Sequence, residues 1–370
     1  MLVLEPWRGG SHALFLDQWC ARSRHAIEVR GLAPRSFRWR MRASAWRFAR
    51  DLVSERTEPP DALFVTSFVD LPGLFGFLPG EWAHVPVICY FHENQLTYPR
   101  REHGEAEADD ISRDLHLAFT QVLSCLRADA LVFNSRFHLQ EFADAARAFL
   151  ARLPDGAPRG EFAAKLERAA YVVPPGVDLE AVPLGPGAPV DSPLRVLFNQ
   201  RWEWDKDPQA FVRACNRARE RGARFEVCLL GERAPPADAG LADVVHCGFE
   251  PDRAAYLRRL GECDVVVSTA RHEFFGLAVA EALAAGCTPL LPDRLSYPEL
   301  LGDRAKGTEG APFVPWRDER ELVVRWVRLA TTREQTRSPA RRAAARARVE
   351  GVSADETARL LDEHVERLAR

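Results

Sequence analysis

The segment Arg271-His272-Glu273-Phe274-Phe275-Gly276-Leu277-Ala278-Val279-Ala280-Glu281 holds two carboxylates with seven residues between them, and a glycine just after the first. An apolar run, Cys263-Asp264-Val265-Val266-Val267-Ser268, precedes it and predicts a buried parallel strand. A helix over 276–285, stopped by Gly286, is expected to follow. The turn then falls at a strand carboxyl end, where open α/β sheets bind ligands. Backbone N–H groups of Phe275, Gly276 and Leu277 would face an anion there. Eight helical residues span roughly 12 Å at ~1.5 Å each, about the length of a nucleotide sugar, so Glu273 and Glu281 could grip hydroxyls at its two ends. On spacing alone the same pair also fits a turn glutamate and a solvated helix glutamate.

Other blocks carry complementary chemistry. Phe198-Asn199-Gln200-Arg201-Trp202-Glu203-Trp204-Asp205-Lys206-Asp207-Pro208 links a strand to a helix. Arg201 and Lys206 suit a diphosphate and the charge building on a departing phosphate. Asp207 before Pro208 also has the form of a helix cap. In Glu5-Pro6-Trp7-Arg8-Gly9-Gly10-Ser11-His12 the glycines allow close backbone approach at a helix start, though this is not a G-x-G-x-x-G fingerprint. Phe91-His92-Glu93-Asn94-Gln95-Leu96-Thr97-Tyr98-Pro99 crowds polar side chains at a strand end, where His92 or Glu93 could orient or deprotonate a hydroxyl. Arg35 to Arg50 interleaves arginine with aromatics, Arg38, Trp39, Arg40 and Arg42 among them. That suits single-stranded RNA, and equally an amphipathic helix with solvated arginines. His246-Cys247-Gly248-Phe249 ends a strand and could touch a nucleobase through its backbone.

These blocks need a scaffold, and strand-like runs alternate with helical ones throughout. Strands are expected over 2–4, 26–30, 62–66, 85–91, 130–133 and 171–173, then 195–199, 225–230, 244–247, 264–267 and 288–291. Helices include 111–127, 136–150, 208–220, 252–260, 276–285 and 319–331. The rhythm implies α/β domains with parallel sheets. The divisions expected are a Rossmann-like domain over 1–178, a Pro/Gly-rich hinge over 179–193, a second such domain over 194–335 and a helical tail over 336–370 with Leu360, Leu361, Val365 and Leu368 on one stripe. With 370 residues, 46% hydrophobic and 28% charged, the chain has ordinary globular composition. No apolar stretch spans a bilayer and no signal peptide is expected. The 8 Cys form no C-x-x-C pair, so buried reduced thiols are expected rather than zinc or disulfides. A net charge of −3 leaves nucleic-acid binding to a local basic face.

Glu273…Glu281, Arg201, Lys206 and Pro175-Gly176-Val177-Asp178 together resemble retaining glycosyltransferases of family four, with the GT-B fold of two Rossmann-like, doubly wound domains facing a central cleft. More narrowly, LEPWRGGSH, RSFRWRMRASAWRF, FHENQLTYP, FNSRFH and FNQRWEWDKDP resemble the tRNA-queuosine α-mannosyltransferase family. The first block has Trp7-Arg8 where that family commonly has an aromatic pair. The resemblance implies a cytoplasmic enzyme moving mannose from GDP-mannose to the cyclopentene-diol of queuosine in the anticodon of tRNA(Asp). It implies that Arg201 and Lys206 hold the diphosphate, Glu273 the donor sugar and Glu281 the ribose, with Asn199, His246, Gly248, Phe275, Gly276 and Leu277 around the donor. Gly9, Gly10, Ser11, His12, Glu93, Asn94, Gln95, Tyr98, Asn134 and Ser135 would lie on the acceptor side, with Arg38, Trp39, Arg40 and Arg42 on the RNA and His92 catalytic. No acidic D-x-D stands in a suitable loop, so no essential metal is expected. The alternatives are a glycosyltransferase acting on a glycan, lipid or small molecule, and a non-catalytic RNA-binding module of the same fold.

Overall fold

The computed structural model describes residues 1–98, 107–233, 235–236, 239–302, 313 and 315–368. The chain divides into two compact units, Met1–Gly176 with Ala354–Arg370, and Val177–Ser353.

In the first unit the elements run β1 (Leu2–Glu5), α1 (Gly10–Arg22), β2 (Glu28–Gly31), α2 (Phe37–Ser54), β3 (Leu63–Thr66), α3 (Leu71–Phe77), β4 (Val87–Phe91), α4 (Glu107–Arg127), β5 (Ala130–Phe133), α5 (Arg136–Ala151), α6 (Arg159–Ala169) and β6 (Ala170–Val172). All strands are parallel, in the order β2-β1-β3-β4-β5-β6. Strand geometry sends alternate residues to opposite faces. Leu2, Leu4, Leu63, Val65, Val87, Cys89, Leu131 and Phe133 therefore build one core with α2 to α6. Val3, Phe64, Ile88, Tyr90 and Val132 build a second core on the other face.

The second unit continues with β7 (Leu194–Phe198), α7 (Pro208–Glu220), β8 (Phe225–Leu230), β9 (Val244–Gly248), α8 (Arg253–Gly261), β10 (Val265–Val267), α9 (Leu277–Ala284), β11 (Thr288–Leu290), α10 (Tyr297–Leu301), α11 (Glu319–Thr331), α12 (Arg333–Thr336) and α13 (Pro339–Arg346). Its parallel sheet is ordered β11-β10-β7-β8-β9. Again the strands alternate. Val196, Phe198, Val227 and Val267 pack against Phe211 and Trp326, while Leu197, Cys228 and Val266 pack against Leu257, Val279 and Leu283.

Two parts of the chain differ from the sequence expectation. Residues 179–193 are pinned within the second unit rather than strung as a linker. Arg346 donates to the carbonyls of Val182 (2.7 Å) and Leu179 (2.5 Å), Arg342 to Gly185 (2.7 Å) and Arg337 to Pro193 (2.6 Å). Three guanidiniums replace the backbone ladder that this Pro/Gly-rich stretch cannot form. The tail is not one body either. Its last helix, α14 (Ala354–Leu368), belongs to the first unit and seats Ala358, Leu361 and Val365 on the second core there. Buried Asp362 fixes it by accepting from Trp19 Nε1 (3.0 Å), Ser23 Oγ (2.7 Å) and the Arg24 N–H (2.8 Å). All eight cysteines are free, and Cys247 is exposed on edge strand β9 rather than buried.

Candidate active site

Each sheet reverses its strand order once, and each reversal carries a cluster of functional side chains. In the second unit the reversal lies between β7 and β10, the place where doubly wound sheets take ligands. The β7–α7 loop brings Lys206 there and the β10–α9 loop brings Glu273. Lys206 Nζ lies 3.1 Å from Glu273 Oε2, 3.1 Å from Asp205 Oδ2 and 2.9 Å from the His272 carbonyl. Three acceptors thus match the three donors of an ammonium. Burial alone would lower the Lys206 pKa, but Glu273 and Asp205 outweigh it and the net shift is upward. His272 moves the other way, down to about 4, because of its burial and then Lys206.

The two loops are stitched together. Thr269 Oγ1 donates to the carbonyls of Lys206 (3.0 Å) and Asp207 (2.9 Å), and the Arg271 N–H donates to the Asp205 carbonyl (2.9 Å). Asp207 accepts from Ala210 N–H as the cap of α7 and from Arg271 Nε at 2.7 Å. Contrary to the sequence expectation, an acidic D-x-D does stand in this loop: Asp205 and Asp207 flank Lys206, and they pair with Lys206 and Arg271. Arg201 is exposed, with Nε 3.4 Å from Glu203.

Helix α9 begins at Leu277, not Gly276, which adopts a left-handed conformation (φ +91°) as its cap. A side chain there would be strained, and its Cβ would stand 3.1 Å from Tyr297 Cε1. With no side-chain cap, the N–H groups of Gly276, Leu277, Ala278 and Val279 precede the first intrahelical bond, Ala280 N–H to the Gly276 carbonyl. Gly276 and Leu277 thus stay among the expected anion donors, and the Phe275 side chain lies in the core. Only the stretch from Leu277 to Glu281 is helical, so the helical rise of ~1.5 Å per residue applies to about half of the eight-residue interval. Glu281 is buried, held by the Arg253 guanidinium and by Tyr256 Oη at 3.1 Å. Asn199 Nδ2 donates to the Ala278 carbonyl at 2.6 Å and so ties β7 to α9. His246 Nε2 is buried without a hydrogen-bond partner, beside Gly248 at φ +141°. Burial and then Arg259 lower the His246 pKa.

The first unit reverses between β1 and β3. Here Glu5, fully buried, accepts from the Trp7 N–H (2.7 Å), Thr66 Oγ1 (3.3 Å) and His12 Nδ1 (3.2 Å). The His12 ring stacks on that of His92 with centroids 3.9 Å apart. Burial pulls the His12 pKa down, but Glu5 overrides it and the net shift is up. His92 is pushed down by burial, then by His12 and His138. The pair thus favours one imidazolium, His12, beside one neutral ring whose Nε2 is buried without a hydrogen-bond partner. Among the described residues, Glu5, His12 and His92 form the group whose ligand atoms, all within 4.8 Å, could share a metal ion. Gly9 precedes α1, and a Cβ there would collide with Pro34 at 2.4 Å, while Gly10 opens the helix at φ +53° and Ser11 is exposed.

Several residues expected on the acceptor side are bonded within the first unit. Asn94 Oδ1 accepts from the Leu96 (3.0 Å) and Thr97 (2.9 Å) N–H groups. Asn134 bridges the His92 carbonyl (2.9 Å) and His138 Nδ1 (2.8 Å), and Ser135 caps α5. The Gln95 N–H donates to Gln121 Oε1 (2.8 Å), and Gln95 Nε2 lies 3.2 Å from Glu93 Oε1. Tyr98 is half-buried, and Pro99 lies outside the described residues. Arg40 is turned inward, its Nε donating to the Ala33 carbonyl at 3.1 Å, whereas Arg38, Trp39 and Arg42 are exposed. The sequence reading missed Glu5, Thr66, Asp205, Arg253, Tyr256 and Tyr297 as site residues. Of these only Glu5 and Asp205 stood inside the quoted blocks.

Two parallel-sheet α/β domains with these clusters define the GT-B class of glycosyltransferase. Solved structures of the same fold include a sucrose-phosphate synthase from Thermosynechococcus elongatus (TM-score 0.71, 14% identity, 99% of this chain and 98% of that one) and a trehalose-6-phosphate synthase (TM-score 0.69, 10% identity, 99% of each). The family profile described as Family 4 Glycosyltransferase in conflict systems matches residues 157–360, and that described as tRNA-queuosine alpha-mannosyltransferase N-terminal matches residues 1–177. A tRNA-queuosine alpha-mannosyltransferase of Drosophila melanogaster is 33% identical over 81% of each chain, and the chain belongs to that family. It is also 26% identical, over 37% of its length and 38% of the relative's, to a GDP-mannose:cellobiosyl-diphosphopolyprenol alpha-mannosyltransferase of Xanthomonas campestris. Among the described residues, no helix is long and apolar enough to cross a membrane.

Proposed function

We propose that this protein transfers mannose from GDP-mannose to a cyclopentene-diol hydroxyl of queuosine in the anticodon of tRNA(Asp), with retention at the anomeric carbon, in the cytoplasm. What carries the reading is similarity to a queuosine mannosyltransferase that spans 81% of the chain. The Lys206–Glu273 pair at a sheet switch point supports the donor half. Lys206 is surrounded by two carboxylates and a carbonyl. On donor binding it exchanges Glu273 for a phosphate oxygen, and Arg201 adds the second positive charge. Glu273, released, accepts from mannose hydroxyls, and Glu281 turns part of its acceptor capacity to the ribose.

The bond from the anomeric carbon to the diphosphate oxygen breaks as the acceptor oxygen bonds on the same face. The acceptor proton passes to the departing phosphate. The protein positions both substrates and stabilises the charge on the leaving GDP. No metal is assigned a step, since Lys206 and Arg201 supply the positive charge.

The test is mass spectrometry of nucleosides from queuosine-containing tRNA incubated with the protein and GDP-mannose. One added hexose on queuosine, persisting in excess EDTA, is the expected result. Product that vanishes with EDTA and returns with magnesium or manganese would remove the metal-free step. No hexose from any donor would remove the acceptor assignment.

A further inference from the structure

Helix α2 has one face that folding accounts for and one that it does not. Met41, Ser44, Ala45, Phe48, Ala49 and Leu52 are buried, with Phe48 and its neighbours in the first unit's larger core. On the outside, Arg38, Arg42, Trp46 and Arg50 follow one another at four-residue spacing, with Trp39 and Arg47 beside them. These positions share one side of a helix. Trp39 is 62% and Trp46 48% exposed, and two such indoles on a solvated arginine face add nothing to the core. Arg50 stands 5.0 Å from the Trp46 ring centroid, a cation–π pair that holds the ring against the helix. The one acid on the face is Asp51, which pairs with Arg50 at 2.6 Å and lies 3.9 Å from Arg47. Arg42, Arg47 and Arg50 against that one aspartate leave a local surplus of positive charge on the helix, although the whole chain carries −3.

The face also has a defined starting point. Phe37, the first residue of α2, meets Trp7 (6.1 Å) and Phe68 (5.1 Å), and Phe68 meets His12 (5.5 Å). The arginine–tryptophan row therefore begins beside the Glu5–His12–His92 cluster and runs outward for about 18 Å from Arg38 to Arg50 at ~1.5 Å per residue.

We infer that the outer face of α2 docks the RNA strand flanking the acceptor base, arginines on phosphates and the two indoles on unstacked bases. The inference rests on the RNA acceptor proposed above and extends it to Trp46, Arg47 and Arg50, while Arg40 drops out. Guanidiniums answer a polyanionic backbone and exposed indoles answer base faces. An acidic protein would satisfy the first and leave the second unexplained. A membrane surface would want the apolar side of the helix, which is already buried in the core.

The experiment measures binding of full-length protein to queuosine-containing tRNA across a salt series. The variants are Arg38→Glu/Arg42→Glu/Arg47→Glu together, and Trp39→Ala/Trp46→Ala together. GDP-mannose binding serves as the control for folding. The triple reversal is expected to weaken tRNA binding about 100-fold or more at 0.15 M salt and to flatten the salt slope by about three. The double alanine variant is expected to lose about tenfold with the slope kept. Unchanged tRNA affinity and slope in the reversal variant, with GDP-mannose still bound, would overturn the inference. So would loss of binding to anionic phosphatidylglycerol vesicles with tRNA binding intact. Failure of wild-type protein to add hexose would sink the catalytic reading alone, because docking is scored by binding.

Discussion

The two units place different chemistry at the same topological point. In the second unit, the switch between β7 and β10 carries a lysine held by two carboxylates. In the first, the switch between β1 and β3 carries a buried carboxylate, a histidine whose pKa it raises against burial and a second histidine stacked on that one. A cation that can trade a carboxylate for a phosphate suits a charged leaving group. An imidazole pair with opposed protonation preferences suits a neutral hydroxyl nucleophile. Topology thus sets where each cluster sits in its own sheet, and the loop residues set its chemistry.

The largest effect that could break this contrast lies in the second unit. Glu273→Gln removes a charge from the Lys206 pair and the strongest hydroxyl acceptor in the loop. Hexose transfer is expected to fall about 100- to 1000-fold, the scale of losing one well-placed polar contact to a transition state. Transfer within a fewfold of wild type in a nucleoside assay would remove Glu273 from the site.

A smaller effect separates the units by pH. Folded His272 has its pKa lowered to about 4, by burial and then by Lys206, while the unfolded ring titrates near 6.5. Between those values the unfolded chain binds the extra proton, so acidification from 6.5 to about 4 removes on the order of 3 kcal/mol from the stability of the second unit. His92 contributes in the same direction, whereas His12, with a raised pKa, contributes stability present below 6.5 and lost as pH climbs. Urea unfolding of wild type and His272→Gln between pH 7 and 4.5 should show a shallower acid decline in the variant. Parallel declines would place the acid sensitivity elsewhere.

Much of this was legible in the sequence, for a physical reason. Parallel strands buried on both faces leave apolar runs, and Pro208–Glu220, Phe225–Leu230 and Glu319–Thr331 have the bounds that periodicity and caps predict. Lys206 and Glu273 were legible because each stands in a short loop directly after a strand. Glu5 was harder to assign. Its role depends on Thr66 and His92, more than 60 residues away, and pairing at that range leaves no local pattern. The same holds for Arg253 and Tyr256 on Glu281. Arg40 shows the complementary error, since composition marks an arginine-rich helix without saying which arginine turns inward. The stripe on α14 was visible, but not the face it covers, because any unfilled apolar face could have taken Leu361 and Val365.

The division of labour between the units is tested most directly by calorimetric titration of GDP-mannose into Lys206→Ala and Glu5→Gln, with hexose transfer to queuosine-containing tRNA measured on the same preparations. The account predicts that Lys206→Ala loses donor binding and transfer together, while Glu5→Gln binds GDP-mannose as wild type does and loses transfer at least about tenfold. Donor binding that survives in Lys206→Ala, or disappears in Glu5→Gln, would contradict it.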